Sequence, residues 1–169
     1  MKSKLFFRQK PHLVIYLLLL PLLSSCAPVI SPEVLKTVDA VITFEQVLKN
    51  PDAYKGKTVL LGGTILKTIN LPDDTLIEVM EQPLDRRNRP VNPEASKGRF
   101  IILFKEFKDP AIYSTGRLIT VAGEVTGSRL RPLGETNYNY PMISPKEYYL
   151  WKPYEGPAIH IGVGVGTTF

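Results

Sequence analysis

The chain has 169 residues, with 21 basic and 16 acidic side chains, two histidines and a single cysteine. That length suits one ordinary domain with a real core. Four of the basic residues, Lys2, Lys4, Arg8 and Lys10, precede Cys26, so 17 basic residues face 16 acidic ones from Cys26 onward; this near-neutral balance excludes the basic footprint of a nucleic-acid-binding domain.

The first element is a leader. Basic residues and no acidic ones are followed by an apolar run from Leu13 to Leu23, interrupted only by Pro21. A membrane-spanning helix needs about 20 apolar residues, whereas the h-region of a secretory signal needs about 7–15. Leu23-Ser24-Ser25-Cys26 then places small residues before the cysteine. The segment resembles the bacterial lipoprotein leader, whose lipobox reads Leu-small-small-Cys. The resemblance implies cleavage after Ser25, a diacylglyceryl thioether on Cys26 and acylation of the new amino terminus. Ala27 stands where an aspartate would mark inner-membrane retention, so the outer membrane is the expected destination. With Cys26 acylated, no thiol remains for disulfides or thiol chemistry.

Residues 26–42 read as the acylated terminus and an extended tether, kept open by Pro28, Ser31 and Pro32. Thr43 followed three positions later by Gln46 is a capping box. Phe44, Val47 and Leu48 share one helical face, and Asn50-Pro51 stops the helix after about two turns. From Lys57 the hydrophobic period becomes two. Val59, Leu61 and Ile65 alternate with Leu60, Thr64 and Leu66 around Gly62-Gly63, a pair that marks a bulge or a barrel corner. Asp73-Asp74 is a turn, and Thr75 to Met80 a second strand with Ile77 and Val79 on one face. A long polar loop runs from Glu81 to Lys97. Phe100 to Phe104 is a compact apolar strand. Leu118 to Thr126 alternates, with Ile119, Val121 and Val125 opposite Thr120, Glu124 and Thr126. Tyr138 to Ser144 and Tyr148 to Lys152 supply one or two more strands. The tail, residues 153–169, alternates apolar and Gly or polar positions and suits pairing with a sheet edge.

Asn50 to Gly63 has an echo in Asp109 to Gly123. Each copy carries a proline, a tyrosine, and two glycines seven positions apart before or within an apolar strand. Shared turn-into-strand chemistry explains this better than duplication, because the intervening segments differ. Five or six short strands with glycine bends and one short helix predict a mainly β fold, a small OB-fold-like β-barrel, with a β-sandwich as the alternative. The domain itself spans residues 43–152.

Phe44 to Gly63, Thr75 to Leu84, Gly98 to Gly123 and Tyr138 to Trp151, together with the lipobox, resemble the Slp family of outer-membrane, starvation-inducible lipoproteins. The resemblance implies an outer-membrane lipoprotein with an OB-like domain and no established enzymatic activity. Only the acylated cysteine carries over, onto Cys26.

Among candidate sites, Arg86, Arg87 and Arg89 lie in the long loop, with Lys97 and Arg99 beside it. Guanidinium forks match phosphate geometry and suit anionic headgroups; the alternative is a solvated loop balanced by Asp85 and Glu94. Tyr138, Tyr140, Tyr148, Tyr149 and Trp151 form a dense aromatic group, suited to stacking on a glycan or to capping the core. His12 lies in the leader and His160 in the tail, so no metal site and no cofactor are expected. Glu78, Glu124 and Asp109 would be the carboxylates of a hydrolase, but nothing in the sequence pairs them. The expected function is a non-enzymatic, periplasm-facing lipoprotein that contacts outer-membrane lipid through its anchor. Envelope proteins or glycans are its further possible partners. A ligand-binding module for an envelope glycan or lipid is the first alternative.

Overall fold

The computed structural model describes residues 28–153. Cys26, the leader and the tail from residue 154 onward lie outside the described residues. The elements are α1 (Pro32–Leu35), α2 (Phe44–Lys49), β1 (Thr58–Asn70), β2 (Thr75–Glu81), β3 (Arg99–Phe104), β4 (Leu118–Leu133) and β5 (Thr136–Leu150). They close into a barrel in the order β1-β2-β3-β5-β4, which is the expected small OB-like barrel rather than a sandwich. All pairings are antiparallel except β3 with β5, which is parallel and joins only Ile101 with Met142 and Ile102 with Ile143.

The alternating positions fill the interior as their period predicts. Val59, Leu61 and Ile65, Ile77 and Val79, Phe100, Ile102 and Phe104, Ile119, Val121 and Val125, and Ile143 are all buried in one cluster. Helix α2 closes one end. Gln46 N–H donates to Thr43 Oγ1 (3.3 Å) and Thr43 N–H donates to Gln46 Oε1 (2.8 Å), which completes the capping box. Phe44 then meets Phe100 at a 6.0 Å centroid separation, and Val47 is buried.

The echo has a common structural cause. Gly56 and Gly116 both hold positive φ, 80° and 88°, and Gly56 N–H and Gly116 N–H each donate to a strand carbonyl, Val125 and Ile65. Tyr54 and Tyr113 pack on the core beside them. Further along, Gly63 and Gly123 lie where strands press together: a Cβ on Gly63 would sit 1.8 Å from Met80 O, and one on Gly123 2.5 Å from Ser144 O.

Two features go beyond the sequence expectation, the length of the β4–β5 hairpin and the packing of the segment ahead of α2, while β5 takes the one-strand form of the one or two expected. β4 and β5 form one long hairpin that turns at Gly134 and Glu135, and β5 is a single strand despite Pro141 and Pro145. Pro145 is tolerated because it sits at a bulge, where the register slips between Ala122 and Gly123. Residues 28–42 lie against the barrel instead of running free of it. Ile30 is fully buried. Ser31 donates through its N–H and hydroxyl to Glu147 (3.0 and 2.7 Å), and Asp39 N–H donates to Thr58 O (2.9 Å). Burial of Ile30 contributes about 1.5–3 kcal/mol, the value for a fully buried aliphatic side chain, toward ordering this strap.

The two glycine types separate in a stability experiment. Gly56→Ala meets nothing within 4 Å and costs only the left-handed backbone penalty, about 1–2 kcal/mol. Gly63→Ala drives a methyl into a neighbouring carbonyl and should cost at least about 3 kcal/mol in urea unfolding. Equal costs would mean that β1 and β2 part easily at Gly63.

Candidate functional site

The long loop is pinned. The Asp85 carboxylate accepts from Arg87 N–H (2.8 Å) and Arg89 N–H (2.9 Å), and Leu84 bridges to Pro90. Asn88 adopts the left-handed conformation, φ 64°, which asparagine tolerates better than most residues. Asp85 therefore organises the backbone of the arginine segment, where the sequence suggested a partner for the guanidinium charges. Arg86 and Arg87 are exposed, and Arg89 is half-buried.

Arg89 turns back onto the barrel. Its guanidinium lies over the Trp151 ring, 4.9 Å from the centroid, and Tyr149 meets the same ring edge-on at 4.8 Å. The indole N–H donates to Thr120 Oγ1 (3.0 Å), and that hydroxyl donates to Asn88 O (2.6 Å). Thr120 faces outward on β4, yet this network buries it completely.

The aromatic group divides into three. Tyr138 and Tyr140 pack edge-on at 4.7 Å on the outer face of the barrel, in a second apolar cluster with Leu76, Ile101 and Met142. Tyr140 is 2% exposed. Its hydroxyl donates to Glu78 Oε1 (3.1 Å), which also holds the Arg99 guanidinium at 2.8 Å. Burial raises the Tyr140 phenol above its ordinary range. The Tyr138 hydroxyl accepts from Arg99 N–H (3.0 Å). Tyr148 faces the interior, while Tyr149 at the far part of β5 and Trp151 just beyond its end face out. One residue causes the division. Lys146 is extra in β5, so Glu147 pairs with Ala122 and Pro145 with Gly123. The inward parity passes from odd (Ile143) to even (Tyr148, Leu150). A strict period of two cannot show that switch.

Lys108 carries no local signal of its role. Its side chain is 9% exposed at the end of the barrel opposite α2. The ammonium lies 4.7 Å from the Phe104 centroid, 4.8 Å from Tyr148 and 5.5 Å from Tyr113. It donates to Tyr148 Oη (2.7 Å) and to Glu106, and Tyr113 Oη–H donates to Tyr148 Oη (3.2 Å). Burial opposes the charge, but these bonds outweigh it and hold Lys108 above its ordinary 10.5. Burial pushes the Tyr113 phenol up to about 12. Burial also disfavours the Tyr148 phenolate, yet the hydrogen bonds from Lys108 and Tyr113 prevail and its pKa falls. A lysine within Lys105-Glu106-Phe107-Lys108-Asp109 reads as surface in sequence; only the tertiary fold surrounds Lys108 with rings.

The remaining carboxylates do not assemble. Glu78 is on β2 and Glu124 on β4, strands that flank β1 and do not pair with each other. Asp109 caps a turn through Ala111 N–H (2.8 Å). Among the described residues, no three His, Cys, Asp or Glu side chains group as metal ligands.

Residues 23–162 match the model of the outer membrane lipoprotein Slp family. The chain belongs to that family. An uncharacterized protein of Haemophilus influenzae is 35% identical over 96 residues, 56% of this chain and 52% of its own. The uncharacterized lipoprotein YeaY of Escherichia coli is 31% identical over 63% of this chain and 54% of its own. Outer membrane protein Slp of Escherichia coli is 26% identical over 75% of this chain and 63% of its own. The match with the first two thus spans about half of each relative's length. Among solved structures, OBody AM3L09 bound to hen egg-white lysozyme aligns with TM-score 0.41 and 12% identity, over 64% of this chain and 92% of that one. The fold assignment rests on the strand order and not on that likeness.

The Lys108 cage predicts a split phenol titration. One tyrosine should ionise below the ordinary 10.0 and another near 12, as read by phenolate ultraviolet absorbance. A phenol more acidic when folded contributes stability above pH 10 that is lost as pH falls through its folded pKa; Tyr113, raised, contributes below pH 10 and loses it toward pH 12. Lys108→Met should move the early ionisation above pH 10. An unchanged early ionisation in that variant would show that Lys108 does not set it.

Proposed function

We propose that this member of the Slp family is a non-enzymatic lipoprotein, anchored through acyl chains on Cys26 and facing the periplasm, with its barrel in a structural or binding role. The family match carries the reading, because it begins at Leu23 and so includes Leu23-Ser24-Ser25-Cys26. Each buried methylene contributes about 0.8 kcal/mol, one acyl chain binds marginally, and several on one residue hold firmly. No described helix is long and apolar enough to cross a membrane, and acyl chains on Cys26 would supply an attachment that needs no such helix. The filled interior and the separate placement of Glu78, Glu124 and Asp109 support a role without catalysis.

Cys26→Ser tests the anchor. The variant should incorporate no labelled palmitate and should leave the outer-membrane fraction. Retention in that fraction without label would overturn acyl anchoring.

A further inference from the structure

The order of contacts along β4 shows toward which end of the barrel the amino-terminal strap runs. Asp39 N–H bonds to Thr58 O, and Thr58 lies opposite Glu124. Ser31 bonds to Glu147, opposite Ala122. Val29 N–H donates to Arg87 O (3.4 Å), and the next residue, Asn88, accepts from Thr120. The strap therefore passes Glu124, Ala122 and Thr120 in turn as it runs back toward its amino terminus. The next outward position is Leu118, about 7 Å further along the strand. Cys26 precedes Val29 by three residues, a reach of about 10 Å at most.

Leu118 forms part of the wall of a cavity of about 510 Å³. Three cations line that cavity, Arg89, Arg117 and Lys152, with Ser114, Thr115 and Gly116 completing the polar wall and no acidic residue in the lining. Among the described residues, no carboxylate lies within ion-pair distance of any of the three cations. Arg117 is held by carbonyls alone, Ile112 O (2.7 Å) and Trp151 O (2.6 Å), and its Nε is buried without a hydrogen-bond partner. Arg89 is fixed by the Trp151 ring. Five other cations do have carboxylate partners: Lys55 with Asp52, Lys97 with Glu45, Arg99 with Glu78, Lys105 with Asp74 and Lys108 with Glu106; what sets this cavity apart is that three cations share one wall without an acidic residue. Unpaired, preordered guanidinium groups favour an oxyanion.

We propose that the Arg89–Arg117–Lys152 cavity binds a phosphate group, presented by a membrane-lipid headgroup at the anchor end of the barrel. Arg89 offers a planar fork to its oxygens, Arg117 a fixed positive charge and the protons its terminal nitrogens do not give to Ile112 O and Trp151 O, Lys152 an exposed point charge, and Ser114 a hydroxyl on the wall. Bound phosphate would hold the barrel at a set orientation on the leaflet that carries the acyl chains. The cavity does not depend on acylation; only the lipid as the source of the phosphate rests on the anchor reading.

Phosphorus NMR of a short-chain phosphatidylglycerol, titrated with the full acylated chain in neutral detergent, tests the site. Saturable broadening is expected, and Lys152→Gln and Arg89→Gln should each weaken it about tenfold, as for loss of one charge-assisted contact. Lys49→Gln, an exposed lysine on α2, should leave it unchanged. No saturable binding, or equal weakening by Lys49→Gln, would overturn the site. Inorganic phosphate that binds as tightly as the lipid would overturn the headgroup assignment. The mass of the same preparation reports the acyl chains on Cys26, so failure of the anchor and failure of the cavity read separately.

Discussion

Closure of this barrel depends on strands that slip register, and the slip that sets the inward face of β5 is one extra residue. The strand must place Ile143 inside near β3, and Tyr148 and Leu150 inside near the start of β4. Those positions have opposite parity, so an unbroken strand would turn one group out to solvent. Lys146 absorbs the mismatch at the bulge opposite Ala122 and Gly123. Its ammonium leaves the strand and donates to Thr58 Oγ1 (2.7 Å) on β1. Gly123 permits the contact, because a side chain there would strike Ser144 O. The same slip turns both aromatic pairs outward, Tyr138 with Tyr140 and Tyr149 with Trp151, although their positions have opposite parity.

The barrel then needs both ends closed, and it uses different chemistry at each. At the Phe100 end, α2 brings Phe44 and Val47 as an ordinary apolar plug. At the Phe104 end, Lys108 takes the place of an apolar plug. A buried ammonium is costly unless its protons and charge are met. Three rings and two oxygens meet them here. Just beyond the two-residue β3–β5 pairing, the strands part and leave a groove of about 420 Å³ beside this cage, with Tyr148 and Phe104 in its wall.

Along the outside, the strap and the arginine loop form one unit. Val29 bonds to the loop at Arg87, Asn88 bonds to β4 at Thr120, and Trp151 bonds to the same hydroxyl. The amino-terminal approach, the pinned loop and the end of β5 thus meet on one region of the surface. An attachment at Cys26 would sit within a few residues of that junction, where Arg89, Arg117 and Lys152 line one cavity without an acidic residue.

The sequence by itself determined the elements whose signals are local. The Thr43–Gln46 box set the start of α2 and Asn50-Pro51 its end. The alternation at Val59 to Ile65, Ile77 to Val79 and Ile119 to Val125 set the inward faces. The leader pattern and the four family segments pointed to the Slp family, which the match over residues 23–162 established. Tertiary structure alone decided the rest, because each remaining feature joins residues distant in the chain. Glu147 meets Ser31 across 116 positions and Lys108 meets Tyr148 across 40. A hydrophobic period carries no record of where a strand slips by one residue, nor of which charge will lack a partner once the chain has closed. Both are set by the geometry of barrel closure.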